Sequence, residues 1–346
     1  AITGEPEQIA ATLRGFREAG FRHFLASLNP CTPETIAAYG RIIELAGWRA
    51  IFFVLVPAGG LAALMVRRSL PTTRSAPRDS AFDAAGILVL ALALGAYASA
   101  ITLDGASVAL RMVLILLAVA GGLLFLRVES RAAQPMIAPS ELRDRALALA
   151  LGVNAIVATV MMATLVVGPF VLTRGLGLDP AHAGAVMAVG PVLAALSGLP
   201  AGRIVDRFGT SQTVASGIAV MAAGSIAFAV LPGIAGVAGY VAAMLVLTPG
   251  YQLFLAANTA AVLAAAGAER KGKVSGLLNL SRNLGLITGA AAMAALFTRS
   301  VGTSDIAAAG PEMVLQGLGA TFSVAAVVLG GAIIAAMAAV RSSREA

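Results

Sequence analysis

The sequence places a permanently charged side chain, Arg282, well inside a long apolar segment, with Asn279, Ser281 and Asn283 close to it along the chain. A charge inside a bilayer costs at least ~2.5 kcal/mol, so such a residue marks a substrate or ion pathway by default. An arginine near the end of a span can instead extend its aliphatic stem until the guanidinium reaches water. Both interpretations stay open for Arg282, which lies about two helical turns inside its segment.

Three amides in other apolar segments extend this candidate transport cavity: Asn154, Gln252 and Asn258. Amides within spans are at least as often bonds that pack one helix on another, each worth roughly 0.6 kcal/mol. The predicted cavity therefore consists of Asn154, Gln252, Asn258, Asn279, Arg282 and Asn283.

No residue pattern predicts catalysis or a bound metal. His23 and His182 are far apart in the sequence, and Cys31 is the only cysteine, so these residues predict neither a metal site nor a disulfide. Residues 267–274 resemble a phosphate-binding loop, but Val274 stands where a Ser or Thr would hold Mg²⁺, and an apolar segment precedes the loop instead of a strand. We therefore predict no enzyme activity, no catalytic residues, no metal and no cofactor.

The composition predicts a polytopic membrane protein. Hydrophobic residues make up 59% of the 346 residues and charged residues 12%, against roughly 45–50% and about 25% in soluble domains. The formal net charge is +7, but the basic residues are spread thinly between apolar runs and form no basic face for phosphates. The predicted partner is the lipid bilayer, and no nucleic-acid partner is predicted.

Nine apolar segments approach the ~20 residues that a helix needs to cross the membrane. They are residues 48–66, 84–103, 108–126, 146–172, 180–199, 213–231, 237–263, 274–297 and 315–340. Fifteen Lys and Arg residues lie in alternate gaps and at the C-terminal end, whereas only Arg174 and Arg299 lie in the other gaps. Because cytoplasmic loops are rich in Lys and Arg, we predict a multi-pass protein of the cell membrane with a cytoplasmic C-terminus. No carboxylate falls inside a predicted span.

A charged turn follows the apolar run that ends near Leu199. Its residues are Gly202, Arg203, Asp206, Arg207 and Gly209. The pattern G-x-x-x-D-R-x-G resembles motif A of the major facilitator superfamily, and an ordinary interhelical loop holding Asp-Arg is the alternative. The resemblance implies that Asp206 and Arg207 belong to a charge network that holds two transporter halves together at the cytoplasmic face.

Three more segments resemble the fourteen-span drug:proton antiporter branch of this superfamily. Residues 47–57 resemble the start of its sixth span, residues 82–86 the start of an extra helix pair, and residues 275–285 a later helix. The resemblance implies a transporter whose first five spans are absent from this chain. It also implies that the partners are protons and hydrophobic or cationic small molecules, and that this polypeptide alone gives little or no proton-coupled efflux.

The first 47 residues have the composition of a soluble protein and predict helix, strand and helix. Residues 4–28 resemble the end of a luciferase-like flavin or deazaflavin monooxygenase, a barrel that one strand and two helices cannot close. Two alternatives to transport stay open. The chain is a non-transporting fusion relic or membrane scaffold, or its tail is a monooxygenase fragment that acts in trans.

The predicted fold is an all-α polytopic membrane protein of nine transmembrane helices, including one six-helix half, with a short α/β tail in front. The predicted domains are residues 1–47 for the tail, 48–66 for a single span, 67–145 for a cytoplasmic linker and the extra helix pair, 146–340 for the six-helix half, and 341–346 for a cytoplasmic end.

Overall fold

The computed structural model describes residues 59–61, 63–65, 67–68, 84–103, 107–131, 144–267, 270–303 and 305–345. The chain divides into two compact units, Ala1–Asp79 and Ser80–Ala346. In the first unit, the described residues between 59 and 68 are helical. The predicted tail of residues 1–47 and most of the predicted span 48–66 lie outside the described residues.

The described part of the second unit is helical and contains no strand. Its helices are α1 (Ala84–Thr102), α2 (Val108–Glu129), α3 (Arg145–Phe170), α4 (Pro180–Phe208), α5 (Thr210–Ala265), α6 (Lys271–Val301) and α7 (Pro311–Glu345). A π-helical turn, Val171–Gly175, continues α3, and a short 3-10 turn, Ile306–Ala308, precedes α7.

Aspartates begin two of these helices. The Asp144 carboxylate accepts hydrogen bonds from the backbone N–H groups of Ala146 and Leu147 at the start of α3. Asp179 does the same at the start of α4, where Pro180 occupies the first helical position. Both arrangements satisfy amide groups that a helix start leaves without partners, and proline loses nothing there.

Helix α5 is a hairpin of two arms, α5a (residues 210–235) and α5b (residues 237–265). Its 56 residues would extend about 84 Å if straight, far more than a bilayer is thick. The chain turns at Gly236, whose φ of 56° is a conformation that L side chains rarely adopt. The predicted gap between the segments 213–231 and 237–263 is therefore a single non-helical residue. Pro232 and Gly233 also lie in this gap but keep helical geometry.

The two arms of α5 pack backbone against backbone. A Cβ atom added to Gly217 would lie 2.6 Å from the nitrogen of Phe254, and one added to Gly224 would lie 2.6 Å from the Cα of Leu247. Residue numbers rise on one arm as they fall on the other, so the arms are antiparallel.

Contacts between the other helices define their directions. Helices α3 and α6 are parallel, because Asn154 bonds to Leu278 and Thr159 bonds to Gly285. Helix α7 begins near the end of α3, where Val314 lies against Gly175. Residues 145–345 therefore form six helical passes of alternating direction. The start of α3, the end of α5b and the start of α6 meet at one end of this six-helix unit.

The outer surface of the unit is apolar. Leu196, Ile234 and Val327 are each more than two-thirds exposed, while the core contains an aromatic cluster in which Phe228 stacks on Phe322 and meets Tyr240 edge to face. A helical protein that is apolar both inside and outside suits hydrocarbon and not water.

Six described helices are long and apolar enough to cross a membrane, namely α2 to α7, and the apolar part of α1 is shorter, Gly86–Thr102. Eight of the nine predicted segments, from 84–103 to 315–340, fall on described helices, two of them on the arms of α5. The described residues do not establish the number nine or an α/β tail, and both stay predictions.

Candidate functional site

A polar junction joins α3 and α6 between two and three turns from the starts of the two helices. The buried Asn154 amide donates hydrogen bonds to the Leu278 carbonyl at 2.9 Å and to the Ser281 hydroxyl at 3.4 Å. The Ser281 hydroxyl in turn donates to the carbonyl of Leu151 on α3. These bonds fix α3 and α6 in register with each other.

A cavity of about 150 Å³ opens beside this junction. Three helices form its wall: α3, α5b and α6. The lining residues are Asn154, Leu255, Thr259, Ser275, Leu278, Asn279 and Arg282. Asn154 is about 14 Å along α3 from its first residue and Arg282 about 17 Å along α6, at 1.5 Å per residue. Since α6 is 31 residues long, or about 46 Å, the cavity lies in the half of the unit nearer the starts of α3 and α6.

Arg282 brings a permanent charge to this wall. Its side chain is partly buried, and its charge acts electrostatically on the Tyr251 hydroxyl of α5b. Within the part of the chain that the structure describes, the guanidinium has neither a hydrogen bond nor an ion pair. The Arg282 side chain lines the cavity, and both interpretations of this residue stay predictions.

Asn258 lies on α5b between the lining residues Leu255 and Thr259. It is 4% exposed, and its amide nitrogen has no hydrogen-bond partner among the described residues. A buried donor without a partner is costly, so this amide is unlike the bonded amide of Asn154.

The remaining predicted cavity residues are placed differently. Asn279 lines the cavity but is exposed and donates to the Ser275 carbonyl of its own helix at 3.2 Å. Gln252 donates to the Ala194 carbonyl of α4 at 2.9 Å, and Asn283 is exposed. Neither Gln252 nor Asn283 lines the cavity. The structure thus groups three of the six predicted residues, and it adds Thr259 and Ser275, which the sequence did not single out.

The charged turn of the motif A pattern lies at the end of α4. Arg203, Asp206 and Arg207 are exposed, and the Arg207 guanidinium lies 5.5 Å from the centre of the Phe208 ring. Gly209, with a φ of 80°, ends α4 and allows the chain to enter α5 at once. None of the three charged residues forms an ion pair with another described residue.

A second cavity, of about 340 Å³, lies where helix ends meet, and its lining residues are Asp144, Leu147, Val262, Ala265, Ala266, Arg270 and Val274. Val262 lies one turn beyond Asn258, so the unpartnered amide lies along α5b between the two cavities.

One acidic residue differs from its prediction. The sequence analysis counted Glu129 outside the span 108–126, but α2 continues to Glu129, which is only 1% exposed. The helix is longer than its apolar core because Ser130 ends it with a backbone bond to Leu126. Glu129 is the only buried carboxylate among the described residues.

The model of one protein family, the Major Facilitator Superfamily, matches residues 36–290. The chain belongs to this superfamily. The match begins before the predicted boundary at residue 47, and it includes both the polar junction and the cavity. Neither the resemblance of the tail to a monooxygenase nor the fourteen-span branch is shown by this match.

Curated relatives support the same family. The chain is 27% identical to the uncharacterized transporter YebQ of Escherichia coli K12, over 82% of this chain and 62% of the relative. It is 25% identical to the multidrug resistance protein Stp of Mycobacterium tuberculosis, over 80% of this chain and 51% of Stp. It is 29% identical to the drug efflux pump JefA of the same species, over 77% of this chain and 53% of JefA.

This chain therefore spans about half to three-fifths of the length of these relatives. It is a helical, multi-pass membrane protein of a transporter superfamily whose members are generally not enzymes.

Proposed function

We propose that this chain works as the C-terminal half, with its extra helix pair, of a drug:proton antiporter of the fourteen-span branch. The observation that supports the proposal is the polar cavity between α3, α5b and α6 in the six-helix unit of a superfamily member. In transporters built from two such units, the site lies near the midplane and the units rock around it. Asn154 and Arg282 line the cavity between that level and the starts of α3 and α6.

The proposed substrates are hydrophobic or cationic small molecules, and the proposed coupling ion is the proton. The names of two relatives, a multidrug resistance protein and a drug efflux pump, support export of drug-like molecules. The described spans α3 to α6 carry no carboxylate in their interiors. A proton-binding carboxylate is therefore expected outside these four helices, and Glu129 of α2 is one candidate.

The proposed topology has nine spans in the cell membrane, with the C-terminus in the cytoplasm. The charges at the ends of the six-helix unit support this orientation. Arg145, Arg207 and Lys271 lie at the end where α3 and α6 begin, and Arg174 and Arg299 lie at the other end. By the enrichment of Lys and Arg on the cytoplasmic side, the first of these ends faces the cytoplasm.

The exposed residues Asp206 and Arg207 are the proposed contact points for the other half. Their exposure leaves them accessible to partners across the cytoplasmic face, as the resemblance to motif A implies. In a complete transporter, these charges would form the network that holds the halves together in one of the two states.

The test is export by residues 1–346 with and without a second half. In cells that lack their own drug pumps, residues 1–346 alone are expected to give little or no pH-driven dye efflux. Co-expression with the first spans of a relative such as YebQ is expected to produce efflux, and co-expression of those spans with an unrelated membrane protein is the control.

Robust pH-driven export by residues 1–346 alone would contradict the need for a second half. No export in the co-expressing cells, with both pieces demonstrated in the membrane, would contradict the transport proposal and favour the non-transporting scaffold.

A further inference from the structure

The cavity beside the α3–α6 junction has an unbalanced charge. Of its seven lining residues, Arg282 is charged, four carry amide or hydroxyl groups, and two are leucines. The guanidinium stays protonated at any pH the protein meets. No lining residue is a carboxylate, so the wall provides a cation and polar hydrogen-bonding groups.

Nothing else in the described six-helix unit neutralises this cation. The acidic residues described from the start of α3 to the first turn of α7 are Asp144, Asp179, Asp206, Asp305 and Glu312, and all are exposed at helix ends or in turns. The guanidinium has no ion pair within the described residues. Its fork of N–H donors is the geometry that binds a carboxylate through two parallel hydrogen bonds.

A second donor lies nearby. The Asn258 amide nitrogen is buried and has no partner among the described residues, and Asn258 is flanked on α5b by the lining residues Leu255 and Thr259. A negatively charged or oxygen-rich group entering the cavity would meet the Arg282 guanidinium, which the protein itself does not pair. A cationic group would meet repulsion from Arg282 and no compensating carboxylate.

The size and apolar part of the cavity limit the ligand further. An apolar protein cavity of about 150 Å³ holds one benzene molecule, and this cavity has about the same volume. Leu255 and Leu278 supply the apolar surface that an aromatic ring would contact. The combination of a cation, amide donors and two leucines matches a ring that carries one carboxylate.

We propose that this half binds small aromatic monocarboxylates, with Arg282 paired to the carboxylate and Leu255 and Leu278 against the ring. The proposal rests on the proposed function, since it assigns a ligand class to the same transport cavity. It departs from the substrate class proposed above, because the family resemblance implies hydrophobic or cationic substrates and the charge of this wall favours anions.

The experiment measures binding to the full chain, residues 1–346, in nanodiscs of neutral phosphatidylcholine. Radiolabelled benzoate is compared with benzylamine, which is cationic at neutral pH, and with neutral benzamide. Benzoate is expected to bind at least roughly tenfold more tightly than either, because only benzoate gains a charge-assisted bidentate pair.

Variants separate the cavity charge from the surface charge. Arg282→Gln is expected to weaken benzoate binding at least roughly tenfold, and Arg282→Lys, which keeps the charge, is expected to lose less. Arg299→Gln is the matched control, since Arg299 is exposed in the last turn of the same helix, and it is expected to leave binding unchanged.

Three results would overturn the proposal: tighter binding of benzylamine, equal binding by Arg282→Gln and wild type, or no saturable binding of any of the three probes. Repeating the measurement with anionic phosphatidylglycerol in the nanodiscs tests whether Arg282 binds the phosphate of a lipid headgroup instead of a small carboxylate. Loss of benzoate binding there would assign Arg282 to a lipid headgroup and overturn the small-molecule ligand.

This binding experiment can fail while the transport experiment succeeds. Efflux of cationic dyes by the co-expressed halves, together with no benzoate binding, would reject the ligand class and leave the transporter standing. Benzoate binding without any export would reject the transport proposal and keep the binding site.

Discussion

At the scale of single residues, the polar groups inside the six-helix unit are of two kinds. The Asn154 amide and the Ser281 hydroxyl are bonded to each other and to backbone carbonyls. Arg282 and the Asn258 amide nitrogen have no such bond within the described residues. Hydrogen-bonded groups hold helices together, whereas polar groups inside the unit that have no hydrogen-bond partner are the ones expected to meet a ligand.

A double-mutant cycle tests the structural role of the bonded pair. Asn154→Ala and Ser281→Ala are each expected to lower the free energy of unfolding, and the double variant is expected to lose about 0.6 kcal/mol less than the two separate losses together, the average for such pairs in membrane proteins. Circular dichroism during SDS unfolding provides the measurement. Asn154→Ala combined with Thr321→Ala is the control, since Thr321 bonds only within α7, and additive losses are expected.

A second residue pair predicts a dependence on pH. Asp179 caps α4 and its other carboxylate oxygen contacts the His182 ring, while both side chains are exposed. The hydrogen bond from the His182 side chain, followed by the backbone bond from His182, lowers the pKa of Asp179 below its ordinary value. A lowered pKa in the folded state means that the carboxylate stabilises the fold at pH values above the unfolded pKa. This stabilisation is lost as the pH falls through the folded pKa.

Asp179→Asn isolates this effect, because asparagine caps a helix about as well as aspartate but does not ionise. The unfolding temperature of wild type is expected to fall more steeply than that of Asp179→Asn as the pH drops below about 4. Parallel curves for the two proteins would show that the Asp179 charge contributes nothing to stability.

At the scale of elements, close backbone contacts set the arrangement of α3 and α6. A Cβ atom on Gly285 would lie 2.2 Å from the Ala155 carbonyl oxygen, and one on Gly289 would lie 2.5 Å from the Thr159 carbonyl oxygen. The Thr159 hydroxyl also donates to the Gly285 carbonyl at 2.9 Å. Small residues at a four-residue spacing allow helix backbones to approach in this way in membranes.

Alanine at Gly285 is therefore expected to destabilise the protein. The added methyl must push apart two helices that also hold the cavity, at a cost on the order of 1–3 kcal/mol. Gly276→Ala is the matched control on the same helix, because no atom lies within 4 Å of its added Cβ, and alanine there is neutral or slightly stabilising. SDS unfolding of both variants makes the comparison, and an equal effect would contradict the packing account.

Helices α1 and α2 pack against a different face of α6. The Tyr97 hydroxyl of α1 bonds to the Thr288 hydroxyl, and Phe125 of α2 packs in a cluster with Leu277. At about 100° per residue, Leu277 and Thr288 lie on one side of α6, and Asn279 and Arg282 lie nearly opposite. The helix pair thus supports α6 from behind and leaves its cavity side clear.

At the scale of the whole molecule, the sequence predicted the positions of the helices along the chain better than the contacts between them. Apolar length marks each helix, so the segments from 84–103 to 315–340 fall on described helices. The residues that line the cavity depend on which faces of α3, α5b and α6 come together. Thr259 and Ser275 have nothing in their types to distinguish them, whereas Gln252 has a conspicuous amide but bonds to α4. The charge of Arg282 identified this residue as a cavity candidate, because few purely structural roles account for a partly buried arginine.

The orientation of the molecule provides the last prediction. Helices α3 and α6 begin at the same end, and α4 and α5b end there, so the charges near those positions must share one side of the membrane. In a background of Cys31→Ser, single cysteines at Arg207 and Lys271 are expected to react with a membrane-impermeant thiol reagent only after cells are opened. Cysteines at Arg174 and Arg299 are expected to react in intact cells, because only these two basic residues lie in the gaps predicted to face outward. Reaction of all four cysteines from the same side would refute the alternating direction of the helices. If the Arg174 and Arg299 positions instead reacted only in opened cells and the other two reacted in intact cells, the cytoplasmic placement of the C-terminus would be refuted, and the helix arrangement would still stand.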